Sequence, residues 1–486
     1  MTRSLRMTEI KDIKSNSFYS FVSISSRIIP NMLVFWLIAR YYGPVAFGKF
    51  SYSHTLANTF LLFADFGFDL LLTTEIAKDR SEARSIFQRY FWIKIGLALI
   101  ALVTMSTFVI VRGGDFDSIL IGLIFGFYML FNTIANFFVA SFKGFERLDY
   151  DAKVSFVMNS FLLLAAIMLF VLNQNILFFA IAYVISRVLG FVYSIKLSHN
   201  TMPGLSYKLS FDDINDSLRK AFMYGILILA QSLLFQLDTI MLGIFKSDYE
   251  VGVYQAVKNL LLVPFIIPGV VFSALLPTLA RMFKESPDNW LALNKTFFKI
   301  IFWLNLPIAV TLFAYPEQII RIIYSTKNYA SATPILRIFS VILFLRSTSD
   351  YLGVMLITSN RQKIHIYVSL TCIVLSLLCG SLIIPTYGSL GAGIVYLIII
   401  VFIAGIYFIV NYDIFFHSIL NVKYLVLLFM AILMAFLAER YSFVNALIGI
   451  PLFFSVFIFL ALSYFFTRIE REKILSIRHL LSRRLS

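Results

Sequence analysis

The sequence predicts an all-α integral membrane protein of about fourteen transmembrane helices. Three observations carry that expectation. Of 486 residues, 60% are apolar and only 14% charged, against about 45–50% and about 25% in soluble domains. The apolar residues come in continuous runs rather than alternating, which excludes an outer-membrane barrel. The basic residues fall between those runs in a regular pattern. Roughly 292 apolar residues supply about fourteen spans at about 20 residues each. The composition therefore excludes a soluble enzyme, a nucleic-acid reader and a secreted disulfide domain. The surplus of +15 (41 basic, 26 acidic) belongs to cytoplasmic loops and to a cavity for an anionic substrate.

Apolar runs fall at 17–41, 49–74, 90–111, 118–141, 153–172, 175–196, 219–245, 250–281, 297–315, 331–358, 364–385, 389–411, 423–438 and 443–467. Residues 1–16 are polar and basic, and the run after them lacks a small-residue cleavage site, so it reads as a retained first helix. With the N-terminus inside, the inner segments hold 28 Lys and Arg and the outer ones 6: Lys49, Arg112, Lys246, Arg321, Lys327 and Arg440. That asymmetry predicts N- and C-termini in the cytoplasm and an even helix count. The longest polar connections are 197–218 and 282–296, too short for an extramembrane catalytic domain. The tail 468–486 places Ile474, Ile477, Leu481 and Leu485 on one face with Arg471, Arg478, Arg483 and Arg484 beside it. That pattern predicts a helix lying on an anionic leaflet.

An internal repeat links the halves. Gly48-Lys49-Phe50 between spans 1 and 2 matches Gly252-Val253-Tyr254 between spans 7 and 8, at an offset of 204 residues. Arg27 then corresponds to Gln231, and His54 to Lys258. Six spans separate the copies, so both insert in the same sense, as parallel repeats do. Residues 197–218, with Pro203 and Gly204, are the expected bridge.

Ionisable residues within spans are costly and face the protein interior or a water-filled cavity. They are Arg27, Asp65, Asp69, Lys94, Arg187, Asp238, Lys258, Arg337, Arg346 and Asp350. Lys94 and Arg337 lie near span ends, where snorkelling accounts for them. Arg27, Arg187, Lys258 and Arg346 lie deeper and predict a cationic cavity for a phosphate-bearing substrate. Arg346 and Asp350 are four apart and can pair. Asp65, Asp69, Asp238 and Asp350 are candidates either to balance these cations or to carry a coupling ion. His54, Gln231, Gln236, Asn259, Asn132 and Asn136 are polar groups read as helix–helix hydrogen bonds or contacts to sugar hydroxyls. Pro264, Pro268 and Gly269 interrupt span 8 and make it the first candidate hinge; Pro30, Pro307 and Pro451 interrupt others.

Other motifs carry no chemistry. Gly43 to Phe50 partly matches a phosphate-binding loop but lacks its Ser/Thr and a preceding strand. Gly122 and Gly126 form a GxxxG suited to packing within the chain. The five histidines show no metal spacing. Cys372 and Cys379, about 10 Å apart along one helix, cannot pair. No metal and no cofactor is expected beyond a coupling H+ or Na+.

Several stretches together resemble the polysaccharide-transporter family, the O-antigen and repeat-unit (Wzx-type) flippases of the multidrug/oligosaccharidyl-lipid/polysaccharide (MOP) superfamily. They are Tyr42-Gly43-Pro44, Phe47-Gly48-Lys49-Phe50, Asp65-Phe66-Gly67 and Lys143-Gly144-Phe145-Glu146-Arg147. Later come Asp238-Thr239-Ile240-Met241-Leu242-Gly243, Val251-Gly252-Val253-Tyr254, Leu275 to Arg281, Asn328-Tyr329-Ala330 with Leu336, and Tyr387-Gly388 with Gly391-Ala392-Gly393. The glycine usual before the Tyr329 turn is missing. The resemblance implies a MATE-like fold of two pseudo-symmetric six-helix lobes plus two C-terminal helices. The corresponding segments are 1–16 (cytoplasmic), 17–196 (N-lobe), 197–218 (linker), 219–411 (C-lobe), 412–467 (last two helices) and 468–486 (tail).

It implies a flippase, not an enzyme, carrying undecaprenyl-pyrophosphate-linked oligosaccharide across a bacterial inner membrane. Arg27, Lys258, Arg346 and Arg187 would then engage the pyrophosphate. The expected partners are that lipid, the bilayer and polysaccharide polymerase machinery, with no nucleic acid, and the expected state is a monomer. The competing reading is a cation-coupled multidrug antiporter on the same fold.

Overall fold

The computed structural model describes residues 3–205, 214–324, 327–414, 422–440 and 446–460, with side chains from residue 18 onward and a few omitted inside helices. The amphipathic tail and part of the bridge at 197–218 lie outside the described residues. Among the described residues the chain is helical, with no strand. A backbone that crosses lipid must satisfy every N–H and C=O internally, and an apolar helix does so.

The helices run in order as α1 (Arg3–Asp65), α2 (Phe68–Lys78), α3 (Ala83–Arg112), α4 (Phe116–Gly144), α5 (Leu148–Val171) and α6 (Ile176–Thr201). Next come α7 (Ile214–Leu234), α8 (Leu237–Phe245), α9 (Asp248–Leu260), α10 (Leu262–Glu285), α11 (Pro287–Ala314) and α12 (Pro316–Tyr324). After a short 3-10 turn at Lys327–Tyr329 follow α13 (Ala332–Thr358), α14 (Gln362–Val410), α15 (Tyr412–Ile414), α16 (Val422–Arg440) and α17 (Ala446–Leu460).

Among the described residues, eight helices are long and apolar enough to cross a membrane, and shorter apolar helices accompany them. Two of the eight are double length, Phe18–Asp65 and Gln362–Val410. Each is broken once, at Gly43 (φ 79) and Gly388 (φ 58). A left-handed φ costs glycine nothing and ends one span as the next begins. The protein is a multi-pass membrane protein, and the faces of α3 and α5 expose Ile100, Val103, Ile110, Leu164 and Met168 as lipid-facing groups would be.

The prolines behave differently from expectation. Pro30 and Pro307 sit inside continuous helices. Span 8 is interrupted at Leu261, between α9 and α10, so Pro264 falls in the first turn of α10, where a missing N–H is tolerated. Pro268 and Gly269 lie within the unbroken α10. Glycine, not proline, makes the sharp breaks of the two longest helices.

The chain divides into two compact units, residues 1–259 with 376–389, and residues 260–375 with 390–486. In the first, α1 packs against α3, α4 and α5, and α4 against α6. Its interior includes Phe68, Phe87, Phe137 and Phe142, all fully buried. In the second, α13 packs on α10 and α11, and α11 on α16.

The segments around Gly48 and Gly252 meet inside the first unit. A Cβ on Gly48 would lie 2.7 Å from the carbonyl carbon of Asp248, and one on Gly252 would lie 2.7 Å from that of Pro44. Any side chain there would separate the helices. Arg112 clamps the same region: its Nη2 donates to Asp248 at 2.8 Å, its Nε to the carbonyl of Gly243 at 2.8 Å, and its guanidinium covers the Tyr52 ring at 4.0 Å. Ser118 donates to the other oxygen of Asp248 at 2.9 Å.

A cationic, amide-lined cavity in the first unit

Helices α1 and α5 face each other through polar residues spaced four apart. On α1 these are Ser23, Arg27 and Asn31; on α5 they are Asp151, Ser155 and Asn159. Spacing of four puts each set on one helical face. The hydroxyls of Ser23 and Ser155 are 3.2 Å apart. Arg27 donates through Nη2 to Asp151 at 2.5 Å and through Nε to Ser155 at 2.9 Å. Asn31 donates to Asn159 Oδ1 at 3.2 Å.

Beside this zipper lies a cavity of about 210 Å³, with walls that include Arg27, Asn31, His54, Asn58, Asn159 and Arg187. Asn132, Asn136, Tyr128 and Met158 complete it. Five carboxamides therefore meet two guanidiniums. His54 sits among the rings of Phe35, Phe125, Tyr128 and Tyr183, at centroid distances of 5.0–5.6 Å, and bonds Asn58 at 3.2 Å. Those rings fix its position.

Arg187 defines the electrostatics. It is 5% exposed. It stands 11 residues from the start of α6 and 14 from its end, or about 17 and 21 Å along the axis, near mid-span. Nη2 donates to Asn159 at 3.3 Å, Nη1 approaches the Met158 sulfur at 3.5 Å, and the guanidinium lies 5.3 Å from the Tyr128 ring centroid. Its Nε has no hydrogen-bond partner among the described residues. No carboxylate pairs with it among the described residues. A buried cation without a counter-ion costs several kcal/mol, about 3–5 when a partner is taken away.

The other expected cations lie elsewhere. Lys258 pairs with Asp238 at 2.9 Å and donates to the Phe235 carbonyl at 2.5 Å. Tyr254 also donates to Asp238. Lys258 is therefore neutralised within a network away from this cavity. Arg346 belongs to the second unit, where it donates to Tyr396 at 2.6 Å, covers the Phe265 ring at 4.3 Å and approaches Asp350 at 3.6 Å. Gln236 accepts from Thr59. The amide nitrogen of Asn259 is buried with no partner among the described residues. The side chain of Gln231 lies outside the described residues.

Lys94 corrects the snorkelling reading. It is 1% exposed and pairs with Asp65, and with Asp69 at 2.7 Å. Asp65 also accepts the backbone N–H groups of Gly67 (3.3 Å) and Asp69 (3.0 Å), capping α2. Two carboxylates share one ammonium, so the cluster is formally −1. Arg337 lies 5.8 Å from the Phe313 ring centroid.

Asp151, Asn31, Asn58, Asn159 and Tyr128 were not singled out by the sequence. The signal was present as i, i+4 pairs of polar residues on apolar helices: 27 and 31, 54 and 58, 132 and 136, 155 and 159. Asp151 falls between the apolar runs 118–141 and 153–172, where the sequence predicts an inner loop.

Residues 13–283 match the family model described as polysaccharide biosynthesis protein, which is more than half of the chain. The chain belongs to that family. Among solved structures, it is similar to the lipid II flippase MurJ in an inward closed conformation, with a TM-score of 0.71 at 14% identity, over 91% of this chain and 98% of that one. It is also similar to an inward-facing MATE-family multidrug transporter of the MOP superfamily (TM-score 0.62, 12% identity, 81% and 97% coverage). A third is a MOP superfamily transporter from Pyrococcus furiosus, reported with a binding pocket of reverse polarity (0.55, 14%, 83% and 95%). No curated protein gives a significant sequence match. The fold is that of the MOP transporters, as expected, and the structures sharing it are transporters rather than enzymes.

Proposed function

We propose that this protein is a flippase for a lipid-linked oligosaccharide, an undecaprenyl-pyrophosphate carrier of O-antigen or a similar repeat unit, in a bacterial inner membrane. One observation carries the reading: a buried guanidinium at mid-span, Arg187, has no counter-ion among the described residues and lines a cavity walled by five carboxamides. Guanidinium forks suit phosphate oxygens, and carboxamides both donate to and accept from sugar hydroxyls. At about 210 Å³ the cavity is smaller than drug-sized sites of about 300–1,000 Å³. It seats a phosphate or one sugar, with the rest of the headgroup outside it.

The family membership and the fold support transport of this kind. A multidrug antiporter for cationic drugs would be served by acidic groups, whereas here two guanidiniums stand against one carboxylate, Asp151. Asp65, Asp69 and Lys94 are the proposed coupling cluster, because their formal −1 charge invites a proton or sodium ion.

The test uses cells lacking the protein, with or without the intact chain restored. Surface polysaccharide and the inward-facing pool of undecaprenyl-pyrophosphate oligosaccharide are measured. The reading requires that loss of the protein abolish the polymer and raise the pool. Unchanged levels of both would refute it.

A further inference from the structure

The zipper between α1 and α5 contains a charge arrangement that a purely structural pair would not need. Asp151 is 5% exposed and holds two cations with different oxygens. Oδ1 accepts from Arg27 at 2.5 Å, and Oδ2 lies 3.6 Å from Lys143 Nζ in the last turn of α4. Arg27 lines the cavity, whereas Lys143 does not. Among the described residues, Arg27 bonds Asp151 through Nη2 and Ser155 through Nε.

We propose that Asp151 is an internal stand-in for the substrate anion. Its carboxylate neutralises Arg27. When an anion enters beside Arg187, Arg27 turns to it and Asp151 is left on Lys143. The exchange strands no buried charge, because the carboxylate keeps one cation throughout and Ser155, 3.3 Å from Oδ1, remains a donor. Asp151 thus acts as a positioning residue: it holds Arg27 ready and makes anion binding a competition. This rests on the anion-site reading of the cavity given above.

The test is calorimetric titration of inorganic pyrophosphate into the purified full-length protein in lipid nanodiscs. Asp151→Asn removes the competitor and should tighten binding about tenfold, an effect that a merely structural salt bridge would not produce. Lys143→Gln removes the second cation, makes release of Arg27 harder, and should weaken binding about threefold. Arg187→Gln should remove binding. A folded Asp151→Asn protein that binds no more tightly than wild type overturns the stand-in role. Should that variant fail to fold, unchanged affinity in Lys143→Gln overturns it. The cavity reading fails separately, and takes this proposal with it, if wild type does not bind pyrophosphate or if Arg187→Gln retains wild-type affinity.

Discussion

Two buried cations in the first unit have opposite surroundings, and the contrast predicts opposite effects on stability when each is removed. Lys94 has two carboxylates around it; Arg187 has amides, a thioether and a ring. Lys94→Met leaves Asp65 and Asp69 together without their cation and should cost about 3–5 kcal/mol. Thermal unfolding checks this, and an unchanged midpoint would contradict the pairing. Arg187→Gln removes an uncompensated charge, so its unfolding temperature should equal or exceed wild type while transport falls at least about tenfold. Loss of stability would mark Arg187 as a structural residue. Arg187 was visible in the sequence as a charge deep in an apolar run. The partners of Lys94 were not, because Asp65 ends α1, Asp69 lies in α2 and nothing in the linear spacing joins them to α3.

At the scale of elements, the informative features are helix breaks and helix contacts. Both double-length helices bend at glycines with positive φ, and the second break is held by Glu250, which accepts the N–H of Ser389 at 2.8 Å. Prolines drew attention in the sequence because they remove a hydrogen bond, yet a helix in an apolar setting often continues through one. The Gly48–Gly252 contact was legible only as a repeated glycine, and its meaning comes from the backbone approach. Gly252→Val should therefore destabilise by overpacking, about 1–3 kcal/mol or more; normal stability would contradict the close packing.

Asp115 caps α4 and pairs with Lys49. The Lys49 ammonium, followed by the Ser118 hydroxyl, lowers its carboxyl from 3.8 to about 2. A lowered folded-state value means that its contribution is present in full above about pH 4 and disappears as pH falls through about 2. Between those values the unfolding temperature of wild type should drop more than that of Asp115→Asn. Parallel curves would show that the pair contributes nothing.

For the whole molecule, composition and run length were enough to predict a multi-pass helical protein, since lipid permits few alternatives. The quoted motifs pointed to the MOP superfamily, and the family match and fold agree. The chemistry of the cavity was only half legible. Its cations stood out against apolar helices, but of its five carboxamides only Asn132 and Asn136 were named, as helix–helix or sugar contacts, and Asn31, Asn58 and Asn159 gained meaning only where α1, α4 and α5 lie side by side. Which charges are paired is a property of tertiary packing, and Asp151 and Lys258 show how far it departs from linear order.

The central claim is that the Arg187 cavity holds the anionic headgroup during translocation. The most direct measurement reconstitutes wild-type and Arg187→Gln proteins in vesicles carrying a fluorescent undecaprenyl-pyrophosphate oligosaccharide, and follows its appearance on the opposite leaflet. The account predicts rapid movement with wild type and at least about tenfold slower movement with the variant at equal reconstitution. Equal rates for the two would contradict it.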